Sequence, residues 1–141
     1  MKHRIAGGLA ALALLLAGCG SNVPSAVQSA CSNAAAKFDA LYAAASAGGG
    51  PMHRANIPTQ AQAAIDAVQP VAVRGTVVES AFTAASSAWS DYAKAGSSAD
   101  GEDDPNLTAA LVDIVRAQDG VVSSCRDAGV EMKVRDHGAV D

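Results

Sequence analysis

The chain has 141 residues, half of them hydrophobic and 4% aromatic, with a formal net charge of −4. That length suits one domain with a core of its own and is short for two. An acidic chain exerts no electrostatic pull on nucleic acid or on anionic headgroups, so nucleic-acid binding is set aside. In chain order the first feature is a basic start, Met1-Lys2-His3-Arg4, followed by the uncharged run Ile5 to Ala17. At about 13 residues the run falls within the roughly 7 to 15 of an export-signal core and short of the roughly 20 that span a bilayer. Residues 1–18 are therefore expected to be a cleaved signal peptide.

The signal ends in Leu16-Ala17-Gly18-Cys19, a tetrapeptide that resembles the lipobox of bacterial lipoproteins. The resemblance implies cleavage before Cys19, a diacylglyceryl group on its thiol, and a lipid-anchored protein on the extracytoplasmic face of the cell membrane. Residues 19–23 then form a lipidated tether. A buried methylene contributes about 0.8 kcal/mol, and stable anchoring takes two acyl chains, which a diacylglyceryl group supplies. Losing Lys2 and Arg4 with the signal takes the net charge from −4 to −6. The alanine-rich composition, with aspartate and arginine preferred to glutamate and lysine, is similar to that of small helical lipoproteins of actinobacteria, which implies an address in the cell envelope and no particular activity.

With Cys19 used for lipid, Cys31 and Cys125 remain. An exported protein sits where disulfides persist, and two cysteines pair in one way, so a Cys31–Cys125 disulfide is expected.

The domain itself is expected over residues 24–129. From Pro24 to Ala47 the positions Val27, Cys31, Ala34, Phe38, Leu41 and Ala45 alternate steps of four and three, one face of an amphipathic helix. Pro24 suits its first turn, and Gly48-Gly49-Gly50-Pro51 ends it. After a loop running to Pro58, a weaker helix is predicted over Thr59 to Gln69, with Thr59 and Gln62 as a capping box and Ile65 and Val68 inward. Thr76 and Glu79 make a second capping box, opening a helix with Val78, Phe82, Ala85, Trp89 and Tyr92 inside and Gly96 as its end. Between these two helices, Val71 to Val78 offers the only strand-like stretch, a possible short hairpin. The fourth helix begins at the cap Asp104 with Pro105 behind it, buries Leu107, Leu111, Ile114, Val121 and Cys125, and stops at Gly129. Residues 130–141, charged and without helical period, are expected to be a flexible tail.

The cysteines also bear on helix number. Cys31 lies early in the first helix and Cys125 late in the last, and those ends are neighbours in an up-down bundle only when the number of helices is even. The expected fold is all-α, an up-down four-helix bundle closed by one disulfide. Alanine favours these helices but buries little area per residue, so the cross-link would offset a thin core.

Candidates for chemistry are few. Asp100, Glu102, Asp103 and Asp104 crowd carboxylates suited to a hard cation, but without the ligand spacing of a calcium loop; the reading preferred is favourable charge beside a helix N-terminus. In the mature chain the histidines are His53, in the glycine-rich loop, and His137, in the tail; neither sits on a rigid scaffold beside a nucleophile. Ser86-Ser87 and Ser123-Ser124 fall on predicted helices as polar-face residues. No catalytic residue, metal site or cofactor is expected, and the chain is read as a non-enzyme. Phe38, Tyr42, Trp89 and Tyr92 share helical spacing and form either core or the wall of an apolar pocket. Two functions follow: a surface-tethered interaction module contacting an envelope or foreign protein, or a carrier of lipid or haem in the bundle interior.

Overall fold

The computed structural model describes residues 22–47, 54–101 and 103–134. The expected signal segment, Cys19, His53, Glu102, His137 and the rest of the expected tail beyond residue 134 lie outside the described residues. Four helices follow one another: α1 (Ser25–Ala47), α2 (Ile57–Ala67), α3 (Glu79–Ser98) and α4 (Pro105–Asp127). Each packs on the next and α4 returns to α1, making a four-helix bundle. Single 3₁₀ turns, Arg54–Asn56 and Pro70–Val73, precede and follow α2, and no strand occurs among the described residues. Cys31 and Cys125 form a disulfide between α1 and α4, closing 94 residues of sequence separation.

The inner faces follow the apolar spacing. On α1 the buried positions are Val27, Ala30, Cys31, Ala34, Phe38 and Leu41, the expected stripe as far as Leu41 with Ala30 added; the side chain of Ala45 lies outside the described ones. On α3 they are Phe82, Ala85, Trp89, Tyr92 and Gly96, and on α4 Leu107, Ile114, Val121 and Cys125, with Leu111 half-buried. No polar or charged residue is buried among the described residues, so burial of apolar area is what holds these helices together.

Two core clusters divide the bundle along its length. The first surrounds the disulfide with Val27, Ala34, Val68, Val73, Val78, Phe82, Ala85 and Val121. The second, at the other end, holds Leu41, Ile57, Ala61, Ala64, Trp89, Tyr92, Leu107 and Ile114.

Several local expectations are corrected. α2 begins at Ile57 rather than Thr59, so the predicted Thr59–Gln62 capping box is not its start; its cap residue Asn56 makes no side-chain cap bond. Ile57 is fully buried and draws the helix start upstream, while Pro58 sits in the first turn, where a missing N–H costs nothing. The inward register on α2 is Ile57, Ala61, Ala64 and Val68; Ile65 is only half-buried.

The second predicted capping box is also remade. The Thr76 hydroxyl donates to the Val73 carbonyl at 2.6 Å, and the Glu79 carboxylate accepts from the Gly75 N–H at 2.7 Å. Both side chains thus stabilise the turn ahead of α3, and α3 itself is capped by Val78 without a side-chain bond. That turn is type II: Thr76 N–H donates to the Val73 carbonyl at 3.0 Å, Arg74 is extended, and Gly75 takes φ +76°, which a side chain would resist. The hairpin does not form, because Val73 and Val78 are both fully buried in the first cluster and the chain between them is turn, not ladder.

Gly96 is not a terminator. α3 continues to Ser98, and Gly96 is where α3 approaches α2: a Cβ there would lie 2.8 Å from Ile57 Cγ2 and 2.9 Å from its Cδ1.

The fourth helix begins and ends as its sequence signals require. The Asp104 carboxylate accepts from the Asn106 N–H at 2.8 Å, satisfying one of the unpaired donors of the first turn. At the other end Gly129 takes φ +88°, its N–H donates to the Arg126 carbonyl at 2.9 Å, and the Val130 N–H donates to the Cys125 carbonyl at 2.8 Å. This is a Schellman motif, which reverses the chain and lays the next residue against the helix. Consequently the domain does not end at Gly129. Val130 and Met132 are buried in the first cluster with Val134 packed beside them, while Glu131 and Lys133 face solvent. The first residues of the expected flexible tail are thus an extended strip of period two that belongs to the core.

Candidate functional site: an apolar groove between the first and last helices

α1 and α4 are tied by the disulfide at one end of their seam and by the Val130–Val134 strip beside it. Phe38 lies seven residues beyond Cys31, about 10 Å along the helix at 1.5 Å per residue. There the seam opens into a groove of about 260 Å³. Phe38, Leu41 and Tyr42 line it from α1, Trp89 from α3, and Leu111, Ile114, Val115 and Val122 from α4. Gln118 and Asp119 contribute its polar edge, and Val134 closes its lower end.

The groove has a rigid floor and an exposed rim. Trp89 is 2% exposed and stacks edge-on against Tyr92, with ring centroids 5.9 Å apart and planes at 81°, a favoured aromatic geometry. Burial raises the Tyr92 phenol above its ordinary pKa, so the ring pair stays neutral at any physiological pH. The indole Nε1 of Trp89 is buried with no hydrogen-bond partner among the described residues. On the rim, Tyr42 is 43% and Val115 57% exposed, and the neighbouring Val112 is also exposed. These side chains stand partly in water beside the concavity.

Of the four aromatics singled out by their spacing, the structure brings Phe38, Tyr42 and Trp89 to the groove; Tyr92 lies behind Trp89 in the core. Leu111, expected in the core, is half-buried and lines the groove instead, while Val115 and Val122 carry no signal of their own in the sequence, because single apolar positions on a polar face read as ordinary surface. Val134 carried a different signal, the alternation Val130, Met132, Val134, in a segment too short and too charged to suggest a core element.

The other candidates are placed apart from this groove. The Asp104 carboxylate serves its own loop, accepting from the N–H groups of Asn106 and, at 3.3 Å, Asp100; those backbone bonds, Asn106 first, hold its pKa below the usual aspartate value. No group of three or more histidine, cysteine or acidic residues is arranged to hold a metal ion among the described residues. Ser86, Ser87, Ser123 and Ser124 sit on α3 and α4 at half-buried or exposed positions. No described helix is long and apolar enough to cross a membrane. No protein-family model, curated protein or solved structure matches the chain.

Proposed function

We propose that this chain is a lipid-anchored extracytoplasmic protein that works by binding, and that the α1–α4 groove receives apolar side chains of a partner protein. It acts as a non-enzymatic interaction module of the cell envelope. The observation that supports this reading is the groove's form: apolar, open along one side, and rimmed by the exposed Tyr42 and Val115. Its volume of about 260 Å³ lies below the roughly 300 to 1,000 Å³ of pockets that enclose most of a drug-sized ligand. A groove of that size suits one or two anchoring side chains of a docked helix or loop, whose main chain stays outside. The lining offers Asp119 and the Tyr42 phenol as its ionisable groups, a lining made for apolar contact and exclusion of water.

The test uses the lipidated protein in its own host, carrying a photoreactive residue at Val115 and, as control, at Asp91 on the exposed face of α3. Discrete protein adducts at Val115 that are absent at Asp91, and that disappear with Tyr42→Glu, are the expected result. The carrier reading predicts otherwise: native mass spectrometry of the released protein would show a co-purifying lipid or a haem absorbance band, and the Val115 adducts would be with lipid. That outcome replaces the interaction module.

A further inference from the structure

Val71 and Val77 are 62% and 80% exposed, the highest values among the exposed large hydrophobic residues of the described chain. Both belong to the α2–α3 connection, on either side of the type II turn at Arg74 and Gly75, and Ala72 and Arg74 are exposed between them. The same short segment fully buries Val73 and Val78. The connection is therefore held rigidly from inside, and its outward valines are fixed in place rather than left on a loose loop.

The position of this apolar tip matters. Val73 and Val78 share the first core cluster with Val27, near the start of α1, and with Val130 after the end of α4, and Val23 packs against the same cluster. The tip thus lies at the end of the bundle from which the chain's N-terminal segment departs. Asn22, where the described residues begin, is three residues from Cys19. Three residues span at most about 11 Å when fully extended.

We propose that the α2–α3 connection is a membrane-contact surface, with Val71 and Val77 entering the interfacial layer of the bilayer that holds the lipid on Cys19. The inference rests on the lipid-anchor reading above. A tether of about 11 Å keeps this end of the bundle within reach of an interfacial layer that is itself some 5 to 10 Å deep for amphipathic segments. The contact is carried mainly by apolar side chains, in keeping with the chain's acidic balance. Arg74, at the turn between the two valines, lays its aliphatic stem along the apolar layer and its guanidinium at the headgroup phosphates, as long basic side chains do at interfaces. Held by its lipid and by this tip, the bundle stands with α4's N-terminal end away from the membrane and the groove open to the side.

The experiment uses the full-length chain, processed in a lipidating host and reconstituted into phosphatidylethanolamine and phosphatidylglycerol vesicles. With the disulfide intact, an environment-sensitive dye is attached to Val77→Cys, to Val71→Cys, and to Ala109→Cys at the opposite end of the bundle. The expected result is a several-fold rise and blue shift of emission at 77 and 71 on reconstitution, quenched by a nitroxide lipid, with no change at 109. Acyl labelling and vesicle flotation on the same samples separate the two claims. An acylated, vesicle-bound protein whose dyes at 71 and 77 stay as wet as at 109 overturns the membrane contact and leaves the anchor. A chain that is neither acylated nor vesicle-bound overturns both.

Discussion

The two halves of the bundle are built from different materials. Around the disulfide the core is valine, alanine and cysteine with Phe38, Phe82 and Met132, and the Val130–Val134 strip packs against it. At the far end the core has Trp89, Tyr92, Leu41, Leu107, Ile57 and Ile114, and the α1–α4 seam opens as a groove where the two clusters meet, with Phe38, Val122 and Val134 of the first cluster also lining it. Small side chains fill space only when backbones approach closely, which a covalent cross-link and a returning strip enforce. Large aromatic side chains bury enough area to hold a half-open layer without that help. The bundle thus has a base tied by its cross-link and a more open end.

The largest test of this contrast is removal of the cross-link. Replacing Cys31 and Cys125 together by alanine is expected to cost about 4 to 5 kcal/mol, the chain-entropy value for a loop near 100 residues. Denaturant melts of the oxidised protein and the double variant measure it, with equal stability contradicting a base that depends on its disulfide. The open half is probed by Trp89→Ala, expected to cost about 3 to 5 kcal/mol as a large buried aromatic. Trp89→Phe separates volume from polarity: because the indole N–H has no partner among the described residues, its loss removes no hydrogen bond and the cost stays well below that of alanine.

Two glycines sharpen the comparison with opposite signs. Gly96→Ala forces a Cβ to within 3 Å of the fully buried Ile57, so overpacking, about 1 to 3 kcal/mol, outweighs the gain in helix propensity of up to about 1 kcal/mol; the melt should move down. Gly120→Ala on α4 meets open space and should raise stability by up to about 1 kcal/mol. A gain at Gly96 would show that the α2–α3 contact is looser than its geometry.

The smallest effect is pH-dependent. Asp104 has its folded-state pKa depressed by the Asn106 N–H. Such a carboxylate stabilises the fold above its unfolded pKa and loses that contribution as pH falls through the lower folded value. Asp104→Asn keeps a capping side chain but does not titrate. The wild type should therefore lose stability relative to this variant below the ordinary aspartate range, and parallel acid melts of the two would refute the cap's electrostatic part.

Much of this architecture was legible in the residues. The stripe Val27, Cys31, Ala34, Phe38, Leu41 and the run Phe82, Ala85, Trp89, Tyr92 are long and strictly helical in period, and both are buried as spaced. Asp104 with Pro105, and Gly129, are local devices whose chemistry acts within a few residues, so they read correctly in isolation. The capping boxes failed for the opposite reason. Thr59 and Thr76 have the right partners three residues on, but burial of Ile57 moved one helix start upstream and the type II turn at Gly75 claimed the side chains of Thr76 and Glu79.

By itself the sequence determined the helical class and the number of helices and pointed to the Cys31–Cys125 pair, because apolar period, the Pro105 and Gly129 end signals and cysteine placement are properties of the chain. Only the tertiary structure decided that Gly96 is a contact, that Val130 to Val134 belongs to the core, and that Phe38, Tyr42 and Trp89 meet over an open seam. Those outcomes depend on how closely two helices approach and which gap a third element fills, quantities set by packing between segments far apart in the chain.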